Sequence, residues 1–202
     1  MTVQKEQKTR RGRPREFDEA EVLAQARNAF WRAGYQATSL DDLSEATGLK
    51  RPSLYGAFGD KADLYLAALS GYREGNMVVA RRLLTEASTL RAGLEAVYAA
   101  ALNIYLRNNQ GCFILGTAPC EAETSAPVRA QLRGITDDLD SAFAERIKIA
   151  QKAGELSKLI DAQERARLAS AMLHSLSVRA RSGEKRVALE TMAESAVNIL
   201  CA

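Results

Sequence analysis

Apolar residues recur at three- and four-residue intervals along nearly the whole chain, a spacing that predicts helices rather than strands. Val22, Ala26, Ala29, Phe30 and Ala33 line one face of a first helix. Asp18 and Glu21 stand before it as a capping box, with Asp in place of Ser or Thr, and Gly34 closes it. Leu40, Leu43 and Thr47 form the inner face of a second helix, opened by Ser39 with Asp42 three residues on. Gly48 then supplies a turn, because glycine enters the left-handed region without steric cost. Pro52 suits the first turn of a third helix, where its missing N–H is no loss. Leu54 and Phe58, four apart, face inward, which leaves Ser53, Tyr55, Gly56 and Ala57 on or near the outer surface. Gly59 stops this helix and Asp60 with Asp63 caps the next.

The rest of the chain continues in the same period. A fourth helix is predicted over about 61–86, with Gly71 and Gly75 as places to bend, and a fifth over about 90–108 with Leu94, Val97, Ala101 and Tyr105 on one face. Asn108 to Gly111 is a break. A short helix from Phe113 is expected to end at Ala118 before Pro119, a long one runs from Pro127 to about Lys152 with Gly154 closing it, and two more cover about 162–181 and 185–201. The expectation is an all-α protein of about nine helices. Residues 1–16 form a basic arm, 17–60 a three-helix head and 61–202 a helical effector-binding and dimerisation domain.

Two short helices about a tight turn, followed by another helix, have the layout of a helix-turn-helix, whose second helix enters the DNA major groove. Charge changes that picture only locally. The net charge of +3 does not by itself imply a nucleic-acid partner. The first sixteen residues, however, hold Lys5, Lys8, Arg10, Arg11, Arg13 and Arg15 against only Glu6 and Glu16. Such an arm is expected to be disordered when free and to settle along phosphates or into the minor groove on DNA, with Arg13 and Arg15 as contacts. The 47% hydrophobic and 26% charged content is that of a soluble globular chain. No secretory signal precedes the arm and no apolar run of about 18 residues marks a membrane span, so a cytoplasmic protein with reduced thiols at Cys112, Cys120 and Cys201 is expected.

Gly34-Tyr35, Thr38-Ser39, Leu43, Gly48-Leu49, Ser53-Leu54-Tyr55, Phe58, Lys61 and Leu64 together resemble the TetR family of transcriptional regulators over roughly residues 17–66. The remainder is similar, more loosely, to one branch of that family through Gly111-Cys112-Phe113, Thr117-Ala118, Val128-Arg129 and Gly154-Glu155-Leu156. The resemblance implies an all-helical homodimer that binds double-stranded operator DNA with its N-terminal domain. It also implies a C-terminal domain that dimerises and holds a small-molecule effector. One departure stands out: family members often carry His or Tyr where this chain has Ala57, and a bulkier residue at Gly56. The smaller outer face offers fewer phosphate contacts. It brings the backbone closer to the bases, or lets Ala57 touch a thymine methyl.

Each contact has a physical motive. Thr38 and Ser39 sit at a helix N-terminus, where free N–H groups and the dipole attract phosphate; Ser39 alternatively only caps its helix. Lys50 and Arg51 lead into the recognition helix beside Pro52. Either reaches a phosphate, and Arg51 alternatively pairs bidentately with guanine. Ser53 and Tyr55 are backbone or base-edge contacts, with packing as the other role for Tyr55, and Lys61 faces a phosphate. Two-fold symmetry makes the operator an inverted repeat. Two stripes of apolar and small residues in the last two helices are assigned to the dimer surface: Ala166, Ala169, Leu173, Leu176 and Ala180, then Leu189, Met192, Ala193, Ala196 and Leu200. The bland alternative buries both stripes inside one subunit.

Effector control would fall to the middle helices, with Tyr98, Tyr105, Cys112, Phe113, Phe143, Met172 and His174 as lining groups, although residues of each kind are more often plain core than ligand contacts. Cys112 opens a helix whose dipole favours a thiolate, though a buried inert thiol is the plainer reading. A second hypothesis is a DNA-binding dimer without a small-molecule pocket, controlled by cysteine modification or a protein partner; a pocket of a few hundred Å³ separates the two. An enzyme is the poorest reading. The chain has one histidine, no phosphate-binding glycine loop, no nucleophile motif and no metal-spaced His/Cys set, so neither a cofactor nor a metal is expected.

Overall fold

The computed structural model describes residues 17–202, which form nine α-helices and one short 3-10 turn. The basic arm with Arg13 and Arg15 lies outside the described residues. Three short helices come first: α1 (Glu19–Ala33), α2 (Leu40–Thr47) and α3 (Arg51–Phe58). Asp18 caps α1 by accepting from the amides of Ala20 and Glu21, but the reciprocal half of the box is absent. Glu21 accepts from Gln25 Nε2 at 3.3 Å instead. At α2 both halves form: the Ser39 hydroxyl accepts from the Asp42 amide, and the Asp42 carboxylate accepts from the Ser39 amide. Gly48 closes α2 with φ +67°, as the turn requires.

Helix α4 (Lys61–Glu86) is one uninterrupted helix through Gly71 and Gly75. Against it pack α5 (Leu90–Tyr105), α6 (Phe113–Ala122) and α7 (Ala126–Ala153), while α8 (Ala162–Arg181) lies on α5 and α7 and α9 (Arg186–Leu200) on α5 and α8. Two boundaries differ from the sequence expectation. Helix α5 stops at Tyr105, and the 3-10 turn Arg107–Asn109 follows, with Asn108 and Asn109 at positive φ. Helix α6 continues past Pro119 to Ala122. Proline removes a single helical bond, and burial of the apolar Ala118 and Ala122 on either side offsets that loss. Gly111 is demanded twice over: its φ is +66°, and a Cβ there would come within 2.7 Å of the Ser177 carbonyl. That close approach lets the Cys112 amide donate to Ser177 Oγ at 2.8 Å, tying the start of α6 to α8.

The core runs unbroken from α1 to α9, and it corrects the dimer assignment. Leu173, Leu176, Ala180, Leu189, Ala193, Ala196 and Leu200 are all buried within the single chain, as are Ala166 and Ala169, and Met192 is half-buried against the same core. These stripes hold α8 onto α5 and α7 and α9 onto α5 and α8, so, Met192 apart, they leave almost no surface for a second subunit. Sequence spacing picks out the stripes but not what covers them, because the opposite faces carry apolar residues too. The face left bare holds Leu168 and Val178 on α8 and Val187 and Ile199 on α9.

Candidate nucleic-acid interface

Helix α3 is fastened by one side and open on the other. Leu54 is buried and Phe58 half-buried, the latter 6.5 Å from the Phe17 ring between centroids. Arg51, Pro52, Ser53, Tyr55 and Gly56 are exposed, Ala57 is partly so, and Lys50 is exposed just before them. A Cβ added at Gly56 would meet nothing within 4 Å. The outer residues named from the sequence therefore share one accessible surface.

The other candidates are more committed. Thr38 is buried and its hydroxyl donates to the Gly34 carbonyl at 2.6 Å. Ser39 Oγ donates to Asp42 Oδ2 at 2.7 Å, and these bonds from Ser39 hold the Asp42 carboxyl below its ordinary pKa. A phosphate at this end of α2 would meet main-chain amides, not the Thr38 hydroxyl, because the residue that begins the turn is pulled inward by the Gly34 carbonyl. Arg51 reaches back across the turn to Asp41, with Nε 3.0 Å and Nη2 2.6 Å from Oδ1. That pairing raises the guanidinium pKa. Replacing Asp41 by Asn is expected to tighten binding to random duplex and to steepen its salt dependence, since it frees Arg51 and removes a charge that repels phosphate. Titration of a labelled random oligonucleotide at several salt concentrations measures both.

Lys61 opens α4 with its Nζ 4.5 Å from the centre of the Tyr35 ring. Tyr35 stacks on Phe30 and leans on Tyr65, so the ammonium is positioned by the aromatic core of the head. Burial, then the charges of Glu121 and Asp60, raise the Tyr35 pKa.

The head joins the body through more than α4. The Tyr65 hydroxyl donates to Thr117 Oγ1 at 2.8 Å, Gln36 Nε2 donates to Glu121 at 2.8 Å, and Trp31 Nε1 donates to the Gln110 carbonyl at 3.2 Å. Phe113 lies among Trp31, Tyr65 and Tyr72 with ring centroids 5.6–6.1 Å apart. Sequence reasoning missed α6 as a second bridge to α1. The signal was present only as an unassigned Trp31 and a cluster of aromatic residues with no shared period.

Inside the body, an apolar cavity of about 70 Å³ lies among α4, α5, α7 and α8. Of the residues named from the sequence, Tyr105 and Cys112 line it. Tyr98, Phe113, Phe143, Met172 and His174 do not. Tyr98 donates to the Ala169 carbonyl and packs on Phe143, and Phe113 belongs to the aromatic bridge. His174 is partly buried, and desolvation lowers its pKa against the opposing pull of Asp140. Tyr72, Asn76, Val97, Ile104, Ile135 and Leu139 were not foreseen as lining residues, although Val97 was placed on the right face. Cys112 is buried, and burial raises its pKa, outweighing the amides of the α6 start and the Tyr72 hydroxyl 3.8 Å away. All three cysteines are free thiols. Among the described residues no group of His, Cys, Asp and Glu could hold a metal, and no helix is long and apolar enough to cross a membrane.

Comparison with known proteins meets the same two halves. The family model described as "Bacterial regulatory proteins, tetR family" matches residues 22–68, and "Tetracyclin repressor-like, C-terminal domain" matches residues 90–196. The HTH-type transcriptional repressor ComR of Escherichia coli (strain K12) is 30% identical over 179 residues, which span 87% of this chain and 85% of that protein. Among solved structures, the TetR family regulator CifR, a cysteine-substituted form in complex with 26-bp double-strand operator DNA, superposes with a TM-score of 0.82 at 30% identity, covering 92% of this chain and 98% of its own. A regulator from Agrobacterium tumefaciens has the same fold, with a TM-score of 0.81 at 20% identity over 91% of this chain and 97% of that one.

Proposed function

The chain belongs to the TetR family of DNA-binding transcriptional regulators, and from that premise we propose that it is a cytoplasmic repressor, bound as a homodimer to an inverted-repeat operator and released by a small-molecule effector. The observation that carries this reading is the bare outer side of α3 over a buried Leu54, with charged residues on both flanks. Residues 17–60 act as the reading head and 61–202 as the effector and dimerisation domain, with the basic arm completing the DNA contact. Ser53, Tyr55 and Ala57 meet bases or backbone, while Lys50, Arg51 and Lys61 meet phosphates. The two subunits join through the α8–α9 face that bears Leu168, Val178, Val187 and Ile199.

Selection of bound duplexes from a random pool tests the reading. It should enrich an inverted repeat with half-sites about one helical turn apart or slightly more. Absence of any salt-sensitive preference over random competitor would remove it. Lys61→Ala is expected to weaken all duplexes evenly and to lower the salt slope by about one unit; an unchanged slope would take Lys61 off the phosphate backbone. Gly56→Ala separates fold from function. An added methyl meets open space in the free chain and should stabilise α3 by about 0.5–1 kcal/mol. On DNA it stands between backbone and bases, so operator affinity should fall while the melting temperature rises.

Cysteine control fits less well than a non-covalent effector, because burial disfavours the Cys112 thiolate that would react. The interior cavity alone is smaller than the few hundred Å³ expected of a drug-sized ligand, which directs attention to the space beside it.

A further inference from the structure

The cavity has a polar forecourt. A cleft of about 430 Å³ lies between α1, α4 and the turn after α5, and it shares Tyr72, Asn76 and Ile104 with the cavity wall. Arg27 and Arg32 of α1 and Arg107 of the turn line it, together with asparagines, Trp31 and Gln110; no carboxylate does. Three arginines therefore line one opening with no carboxylate in its lining.

Arg27 is the informative member. Its guanidinium carbon stands 6.0 Å from the centre of the Tyr72 ring, at the boundary between forecourt and cavity. Its Nε is buried and has no hydrogen-bond partner. A buried donor on a charged group is costly to leave unsatisfied, and a planar guanidinium is matched best by a planar carboxylate. Beyond Tyr72 the space turns apolar and small. The two halves of the site thus ask for opposite ends of one molecule.

We propose that the effector is a small amphiphilic carboxylate, its anion held by Arg27 and Arg107 in the cleft between α1 and the turn after α5, and its short apolar part inserted past Tyr72 toward Ile135 and Leu139. This rests on the reading of the protein as an effector-released repressor and specifies the ligand. It also gives the ligand a direct hold on the head, since Arg27 belongs to α1. Occupancy ties α1 to the body at one separation, and a ligand shifts an equilibrium only through such state-dependent contacts.

Calorimetric titration of the full chain with hexanoate and benzoate tests this, with 1-hexanol as the tail without the charge and inorganic phosphate as the charge without the tail. The carboxylates should bind more tightly than either partial probe. Arg27→Gln should weaken carboxylate binding about tenfold or more while leaving 1-hexanol unchanged, and Arg107→Gln should act in the same direction. Arg27→Lys should restore part of the loss. Because Arg107 sits on an exposed turn, its variant decides the matter if Arg27→Gln melts early. Equal binding of hexanoate and 1-hexanol, carboxylate binding indifferent to Arg107→Gln, or no binding of any carboxylate would overturn the proposal. Operator binding by the same preparation, measured without ligand, keeps the outcomes apart. Intact DNA binding with no carboxylate effect rejects only the ligand class, whereas loss of all operator preference rejects the repressor reading and leaves the titration to stand alone.

Discussion

A chain carrying Val178→Asp and Ile199→Asp is expected to sediment as a monomer and to lose operator affinity by about two to four orders of magnitude. Both side chains are largely exposed in the single subunit, at 66% and 71%, as are Leu168 at 62% and Val187 at 73% on the same two helices. Covering a Val, Leu or Ile side chain is worth about 1.5–3 kcal/mol, so four of them on each of two subunits form a credible centre for an interface. A carboxylate in that centre would have to be desolvated without a partner, which costs more than the lost contact. The fall in DNA affinity follows from geometry: a monomer carries one recognition helix, and the second half-site no longer benefits from the first. Sedimentation velocity and a gel-shift titration measure the two effects. A variant that remains dimeric would move the contact to another face. Leu173→Asp offers a contrast, since Leu173 is buried inside the subunit; its substitution should unfold the chain rather than separate two folded copies.

The second large effect is thermal. Phe113→Ala should cost about 3–5 kcal/mol and lower the melting temperature by about 10 °C or more. Phe113 is fully buried and touches Trp31 of α1 and both Tyr65 and Tyr72 of α4. Its removal would leave a cavity at the seam where head meets body, and the rings around it are held by hydrogen bonds at Trp31 and Tyr65 that resist collapse into the gap. Phe113→Leu keeps most of the volume and should recover the greater part of the loss. A melt within a degree or two of the parent protein would mean that the seam repacks freely, and that α6 does not brace the head.

Much of this architecture can be read from the residues alone. Capping residues and turn glycines are local signals, so Asp18, Ser39, Gly48, Pro52 and Asp60 locate the first four helices closely. The outer side of α3 follows from the inward pair Leu54 and Phe58. Partner choice is not local. Leu173 and Val178 are both apolar residues on α8, yet one packs inward and the other does not. The helical period separates their faces, but only the position of α5 and α7 decides which face is covered within the subunit. Thr38 was misleading for a similar reason: its hydroxyl looks available at a helix start until the Gly34 carbonyl claims it. The cleft at Arg27 depends on residues about 80 positions apart, Arg27 and Arg107, which no short-range pattern links.

With Arg51 read as a phosphate contact, as proposed above, its pairing with Asp41 bears on how the protein would search a chromosome. While it drifts along unrelated sequence, its guanidinium already has an anionic companion, and every stray phosphate must compete with that carboxylate before gaining a grip. Only a site that engages the remainder of the helix at the same moment recovers the cost of the exchange. The pair thereby discourages idle adhesion and shortens each unproductive stop, leaving more of the population free to reach its true address.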